Sequence, residues 1–106
     1  MNRETALLTL EDCRRRIDDL DLRILALLNE RTLAVEQIGQ AKQSLDLPIY
    51  EPRREDEVYA NVTGHNSGPL PAEALKRIFE RIIDEMRTVQ KRRMLDKLGH
   101  GAAMPR

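Results

Sequence analysis

Three features of the sequence predict an all-α fold with three helices per chain, one of them very long. An apolar repeat alternates spacings of three and four from Leu10 to Leu45. Two turn-rich stretches, residues 46–52 and 63–71, divide the rest of the chain into two shorter segments. The composition is 34% charged and 3% aromatic, with no Trp, which suits long helices better than a sandwich or a barrel. At 106 residues the chain reads as a single domain, 1–106, with a tail fraying from about 99 to 106.

The first helix is set by its seam: Leu10, Cys13, Ile17, Leu20, Ile24, Leu27, Arg31, Ala34, Ile38, Ala41 and Leu45. Thr5 or Thr9 is expected to cap it, with acidic residues close behind. Asp46 to Pro48 should end it. That gives roughly 35 to 40 residues and about 55 Å of helix. A helix of that length cannot fold back to bury its own seam. It needs a second long helix, expected from another copy of the chain in an intertwined homodimer.

Pro48 and Pro52 break the first helix and start a second. Pro52 suits a first-turn position, and Glu51, Glu55 and Asp56 suit the positive end of the dipole. Val58, Tyr59 and Val62 give this helix an apolar face. "TGHNSGPLP" is the clearest loop. The third helix carries Leu75, Ile78, Phe79, Ile82, Ile83, Met86, Val89 and Gln90 at helical spacing.

Charge and motif content narrow the function. Lys plus Arg equals Asp plus Glu at 18 each, so no net field draws the chain to nucleic acid or to an anionic membrane. No apolar run is long enough to span a bilayer, and the N-terminus lacks a signal-peptide core. The chain reads as soluble and cytoplasmic. Cys13 is the sole cysteine and reads as a small core residue on the seam. His65 and His100 lack partners at ligand spacing, so no metal is expected. Gly99 and Gly101 follow a helix rather than a strand and do not make a phosphate loop. No nucleophile dyad is visible, and no cofactor is expected.

What stands out is a set of cations near the first seam. Arg31 and Lys42 are eleven residues apart, which returns them to within about 20° of one helix face, roughly 16 Å apart. Between them two long side chains could grip a small dianion. Arg14 lies roughly 25 Å from Arg31 along the same helix, too far to reach that ligand. In an antiparallel dimer, Arg14 of one chain can approach Arg31 and Lys42 of the other. Two readings of Arg31 stand side by side: an anion ligand, or a seam charge that fixes register and pairs with Glu30 or Glu36. Glu51, Arg54 and Glu55 cluster at the start of the second helix, either for the dipole or for a site. Gln90, on the apolar stripe of the third helix, is either a water-bonded rim residue or an amide with a partner.

The ordered pattern identifies a family. Arg14-x-x-Ile17-Asp18-x-Leu20-Asp21, Leu27-Leu28-x-x-Arg31, Gly39-x-x-Lys42, and Pro48-x-x-Glu51-x-x-Arg54-Glu55 appear in sequence, followed by "RIFERIIDEMRTVQ". Over residues 7–93 this resembles the all-helical chorismate mutases, the AroQ type. The resemblance implies a dimer of three-helix chains with shared sites, converting chorismate to prephenate on the route to Phe and Tyr. It implies that Arg31 and Arg54 bind the substrate carboxylates, with Arg14 from the other chain. Lys42 and Gln90 would then hydrogen-bond the ether oxygen, and Glu51 and Glu55 would face the ring hydroxyl. Two positions depart from the family pattern. Glu51 stands where Asp is more usual, and Met86 where many members carry a small hydroxyl residue. Rival readings are an isochorismate pyruvate lyase on the same fold, and a non-enzymatic helical dimerisation or regulatory module. The module leaves Arg31, Lys42, Arg54 and Gln90 together unexplained.

Overall fold

Helix α1 runs Arg3–Ser44, α2 Pro52–His65 and α3 Ala72–Ala103, in that order. This computed structural model describes the backbone of residues 1–103 and the side chains of residues 1–96. Among the described residues there is no strand, so the all-α expectation holds. Of the tail expected to fray, about 99–106, residues 99–103 continue the backbone of α3, and 104–106 lie outside the described residues. The chain divides into two compact units, Met1–Leu33 and Ala34–Arg106.

In the first unit, α1 begins about two turns before the seam does. Its cap is neither Thr5 nor Thr9. The Asn2 side-chain oxygen accepts the Thr5 backbone N–H at 2.8 Å, which satisfies one of the first-turn donors. The seam residues Leu10, Ile17, Leu20, Ile24 and Leu27 are each between 47% and 63% exposed. Cys13, expected as a core residue, is exposed with them. The stripe that the heptad spacing marks therefore faces outward along this unit. Arg15 pairs with Glu11 at 2.9 Å on the surface, an exposed contact that stabilises little.

In the second unit, α1 ends by a specific backbone device. Asp46 takes φ 55, the left-handed region. The Leu47 N–H donates to the Lys42 carbonyl at 2.8 Å and the Asp46 N–H to the Gln43 carbonyl at 3.3 Å. These are the two bonds of a Schellman stop, with Asp in the position Gly usually takes. The chain is thereby turned back toward Lys42. Pro52 then starts α2 in the first-turn position expected of it. Val58, Tyr59 and Val62 are half-buried on the α2 face toward α3. On α3, Leu75, Ile83 and Met86 are buried. Ile78 is 48% exposed, because it sits about 140° round the helix from Ile83. Among the described residues Leu75, Ile83 and Met86 are the buried apolar ones, a small core. No described helix is long and apolar enough to cross a membrane.

Candidate active site

Lys42 is the one buried charged residue among those described, 8% exposed and in the last turn of α1. An ammonium is costly to bury unless its hydrogens are taken. Here the Nζ donates to the Ile49 carbonyl at 2.9 Å and meets a Glu51 carboxylate oxygen at 2.5 Å. The Schellman stop explains the geometry, since it brings residues 47–51 back across the Lys42 side chain. Glu51 is the N-cap residue of α2, yet its side chain makes no cap hydrogen bond. Its carboxylate is engaged by Lys42 instead. An ammonium carries three hydrogens. Two have partners, and one remains.

Gln90, also in the second unit, is half-buried on α3. Its Nε2 donates to the Val35 carbonyl at 3.1 Å, so the amide on the apolar stripe does have a partner. An amide nitrogen has two hydrogens, and the Val35 bond fixes the group while leaving one. Gly39 lies beside it. A methyl group added there would meet Gln90 Cγ at 3.7 Å and Nε2 at 3.9 Å, which is ordinary contact. A cleft of about 390 Å³ opens between the end of α1 and α3, with Gln90 on its wall beside Glu36, Gln40, Gln43 and Arg93. Glu36, one of the carboxylates considered for Arg31, stands 3.6 Å from Arg93.

The start of α2 carries Arg54 and Glu55. Arg54 is exposed, with Glu57 at 3.9 Å. Glu55 is half-buried and accepts a hydrogen bond from the Arg87 guanidinium of α3. Arg87 also lies over the Tyr50 ring, its Cζ 4.8 Å from the centroid, and 3.6 Å from Asp84. Neither Arg87 nor Tyr50 was among the expected site residues. A signal did exist: at 100° per residue Arg87 falls about 40° from Ile83 and about 60° from Gln90, on the edge of the buried stripe. Beside this cluster the Tyr59 hydroxyl is pushed above its ordinary value. Burial is the main cause, followed by the carboxylates of Glu55, Glu80 and Asp84, with Arg87 opposing.

The second unit carries Lys42 and Glu51 in contact with each other, and Arg54, Glu55 and Gln90 each with other partners; the cleft wall that holds Gln90 does not include Lys42. Arg14 and Arg31 belong to the first unit, Arg14 exposed and Arg31 half-buried. Among the described residues no group of three or more His, Cys, Asp or Glu could hold a metal ion. Chemically, the second unit offers two neutral-to-cationic donors held by backbone carbonyls, and two carboxylates at one helix start.

A family model described as chorismate mutase type II matches residues 13–91. The chain is 36% identical over 94 residues to a bifunctional chorismate mutase/prephenate dehydratase of Aquifex aeolicus. That match covers 85% of this chain but only 26% of the relative's length. Among solved structures, a chorismate mutase of Thermus thermophilus (form II) superposes with a TM-score of 0.77 at 34% identity, over 79% of this chain and 96% of that one. A chorismate mutase of Helicobacter pylori in complex with prephenate gives 0.74 at 30% identity, over 79% and 91%.

Proposed function

The chain belongs to the type II chorismate mutase family, and we propose from that premise that it rearranges chorismate to prephenate, a step toward Phe and Tyr. The observation that carries the mechanism is the pair of anchored donors. Lys42 and Gln90 are each fixed by a backbone carbonyl, Ile49 and Val35, and each keeps one N–H for a ligand.

The chemistry needs little else. In a Claisen rearrangement the ether C–O bond breaks as a C–C bond forms, within one molecule and with no proton transferred. Catalysis must hold a compact near-attack conformer and stabilise negative charge growing on the ether oxygen. In this reading Lys42 and Gln90 donate to that oxygen. Arg31 and Arg54 clamp the two carboxylates, a task that suits the planar guanidinium fork. Glu51 and Glu55 face the ring hydroxyl. A millionfold acceleration requires only about 8 kcal/mol, which orientation and two preorganised donors can supply. Met86 offers no hydroxyl to the substrate and is buried, so the carboxylates depend on the arginines.

A homodimer follows from two supports: the exposed seam of the first unit and the small core of the chain. Arg14, roughly 25 Å from Arg31 along α1, then serves the partner's site. A cytoplasmic setting suits the single exposed thiol of Cys13. The direct test is loss of chorismate absorbance with purified protein, set beside pyruvate release from isochorismate. Saturable loss of chorismate is expected. No loss, or faster pyruvate release from isochorismate, overturns the reading. For the shared site, co-expressed Arg14→Ala and Lys42→Ala chains should regain about a quarter of wild-type activity, because about half the dimers are mixed and each has one intact site. Mixed dimers present by mass but inactive would rule sharing out.

A further inference from the structure

The carboxylates of Glu51 and Glu55, one helical turn apart at the start of α2, are each met by a cation from a different helix. Lys42 of α1 takes Glu51, and Arg87 of α3 takes Glu55. The second pair is well shielded, with 23% of the Arg87 side chain and 20% of the Glu55 side chain exposed. A pair this shielded is screened less by water and salt than a surface pair.

Arg87 uses two properties that Lys lacks. Its edge donates to Glu55, while its face covers the Tyr50 ring at 4.8 Å. The edge fixes the guanidinium toward α2 and the face fixes it toward the 45–51 segment. The third neighbour, Asp84, is 3.6 Å away and exposed. It adds little, because exposed ion pairs are weak. One side chain thus ties the segment that delivers Glu51, the first turn of α2, and the helix that carries Gln90 three residues on.

We propose that Arg87 is a positioning residue for substrate binding: it holds the Glu55 carboxylate in the orientation that receives the substrate's ring hydroxyl, without touching the substrate itself. The proposal rests on the mutase reading and on the role given there to Glu55. The ring hydroxyl is not at the bond that breaks, so its contact is made equally in ground state and transition state. Losing an interaction of that kind raises KM and leaves kcat nearly unchanged.

The experiment is steady-state chorismate turnover for wild type, Arg87→Met, Arg87→Lys, Glu55→Gln and the Arg87→Met/Glu55→Gln double variant. Methionine keeps a stem over the Tyr50 ring and removes the donor. Arg87→Met is expected to raise KM about tenfold or more, the effect of one lost charge-assisted hydrogen bond, with kcat within about threefold. Arg87→Lys should recover only part of the loss, because an ammonium restores the charge and a donor but not the simultaneous edge and face contacts. The double variant should be no worse than Glu55→Gln alone, because Arg87 acts through Glu55. An unchanged KM in Arg87→Met overturns the proposal. So do losses that multiply in the double variant, and a collapse of kcat at constant KM. If Arg87→Met does not fold, Arg87→Gln, which keeps an N–H donor without the charge, is read for the same KM rise against Glu55→Gln. Absence of wild-type turnover would sink the mutase reading and this role together. Wild-type turnover with unmoved variants would sink only the role of Arg87.

Discussion

Replacing Lys42 by Met separates the chemistry of the site from the stability of the fold. Methionine is close to lysine in length and leaves the apolar stem in place. Lys42 as a whole is 8% exposed, so removing its ammonium ends a desolvation cost as well as two contacts. The Ile49 carbonyl, bonded at 2.9 Å, loses a charge-assisted donor of about 1.5–3 kcal/mol. Glu51, with 48% of its side chain exposed, can turn to water at little cost. The opposing terms are of similar size, so the net change in stability should lie within about 1 kcal/mol. Turnover has no such compensation. Removing one preorganised donor to a developing oxyanion costs about 10²–10³ in kcat, or about 2.7–4 kcal/mol. Because the interaction strengthens only in the transition state, kcat and kcat/KM should fall together. The assay is chorismate absorbance for rate and denaturant unfolding followed by circular dichroism for stability. Turnover within tenfold of wild type would refute the reasoning. So would a loss of stability above about 3 kcal/mol, which would make Lys42 a residue of the fold rather than of the reaction.

Three further outcomes are expected. Gln90→Glu should convert a flat profile into an acid-dependent one. Wild-type turnover should vary little between about pH 6 and 9, whereas an ionised Glu at position 90 cannot donate and faces the Val35 carbonyl, so turnover of the variant should fall as pH rises; a flat profile in the variant would remove Gln90 from the donor pair. Asp46→Gly should stabilise the chain by about 0.5–1 kcal/mol in denaturant unfolding, because Gly takes the φ 55 conformation without strain; destabilisation would mean the Asp side chain matters more than its backbone. The raised Tyr59 value means the folded chain favours the neutral phenol. That contribution is whole below the unfolded value of 10.0 and is lost as pH rises through the folded one. Between about pH 9 and 11 wild type should therefore lose more stability than Tyr59→Phe does; equal losses would contradict the shift.

The elements legible in the sequence were those written in local periodicity. The three-four repeat marked the body of α1 but not its first two turns, Pro52 gave α2 its first turn, and the stripe of Leu75, Ile83 and Met86 gave α3 its buried face. The N-terminal cap is not legible from the seam, because the seam starts at Leu10 and the polar residues nearest before it are Thr9 and Thr5. The helix continues past them to Arg3, where Asn2 can close it. The Schellman stop was hidden for a related reason: Asp, not Gly, holds the left-handed position, and Asp at a helix end looks like any polar terminator.

The candidate site divides along the same line. Residues on a helix whose chemistry contradicts their position could be picked out one at a time: a cation on a seam at Arg31, an amide on a stripe at Gln90. Their partners could not, because each partner lies far along the chain or is backbone. Val35 is fifty-five residues from Gln90, and Arg87 thirty-two from Glu55. A sequence pattern assigns a side chain to a face; it does not say which carbonyl will be there. Arg87 is the sharpest case. Between Met86 and Thr88, with Asp84 one turn before it, it reads as a solvated i, i+3 pair. Only when α2 is laid against α3 does the half-buried Glu55 arrive and turn that charge into a constraint. The same reasoning explains why Lys42 and Glu51 belong together although they stand well apart in the chain. The backbone turn at Asp46 makes them neighbours, so a residue that the proposed chemistry does not use sets the geometry of the donor that it does.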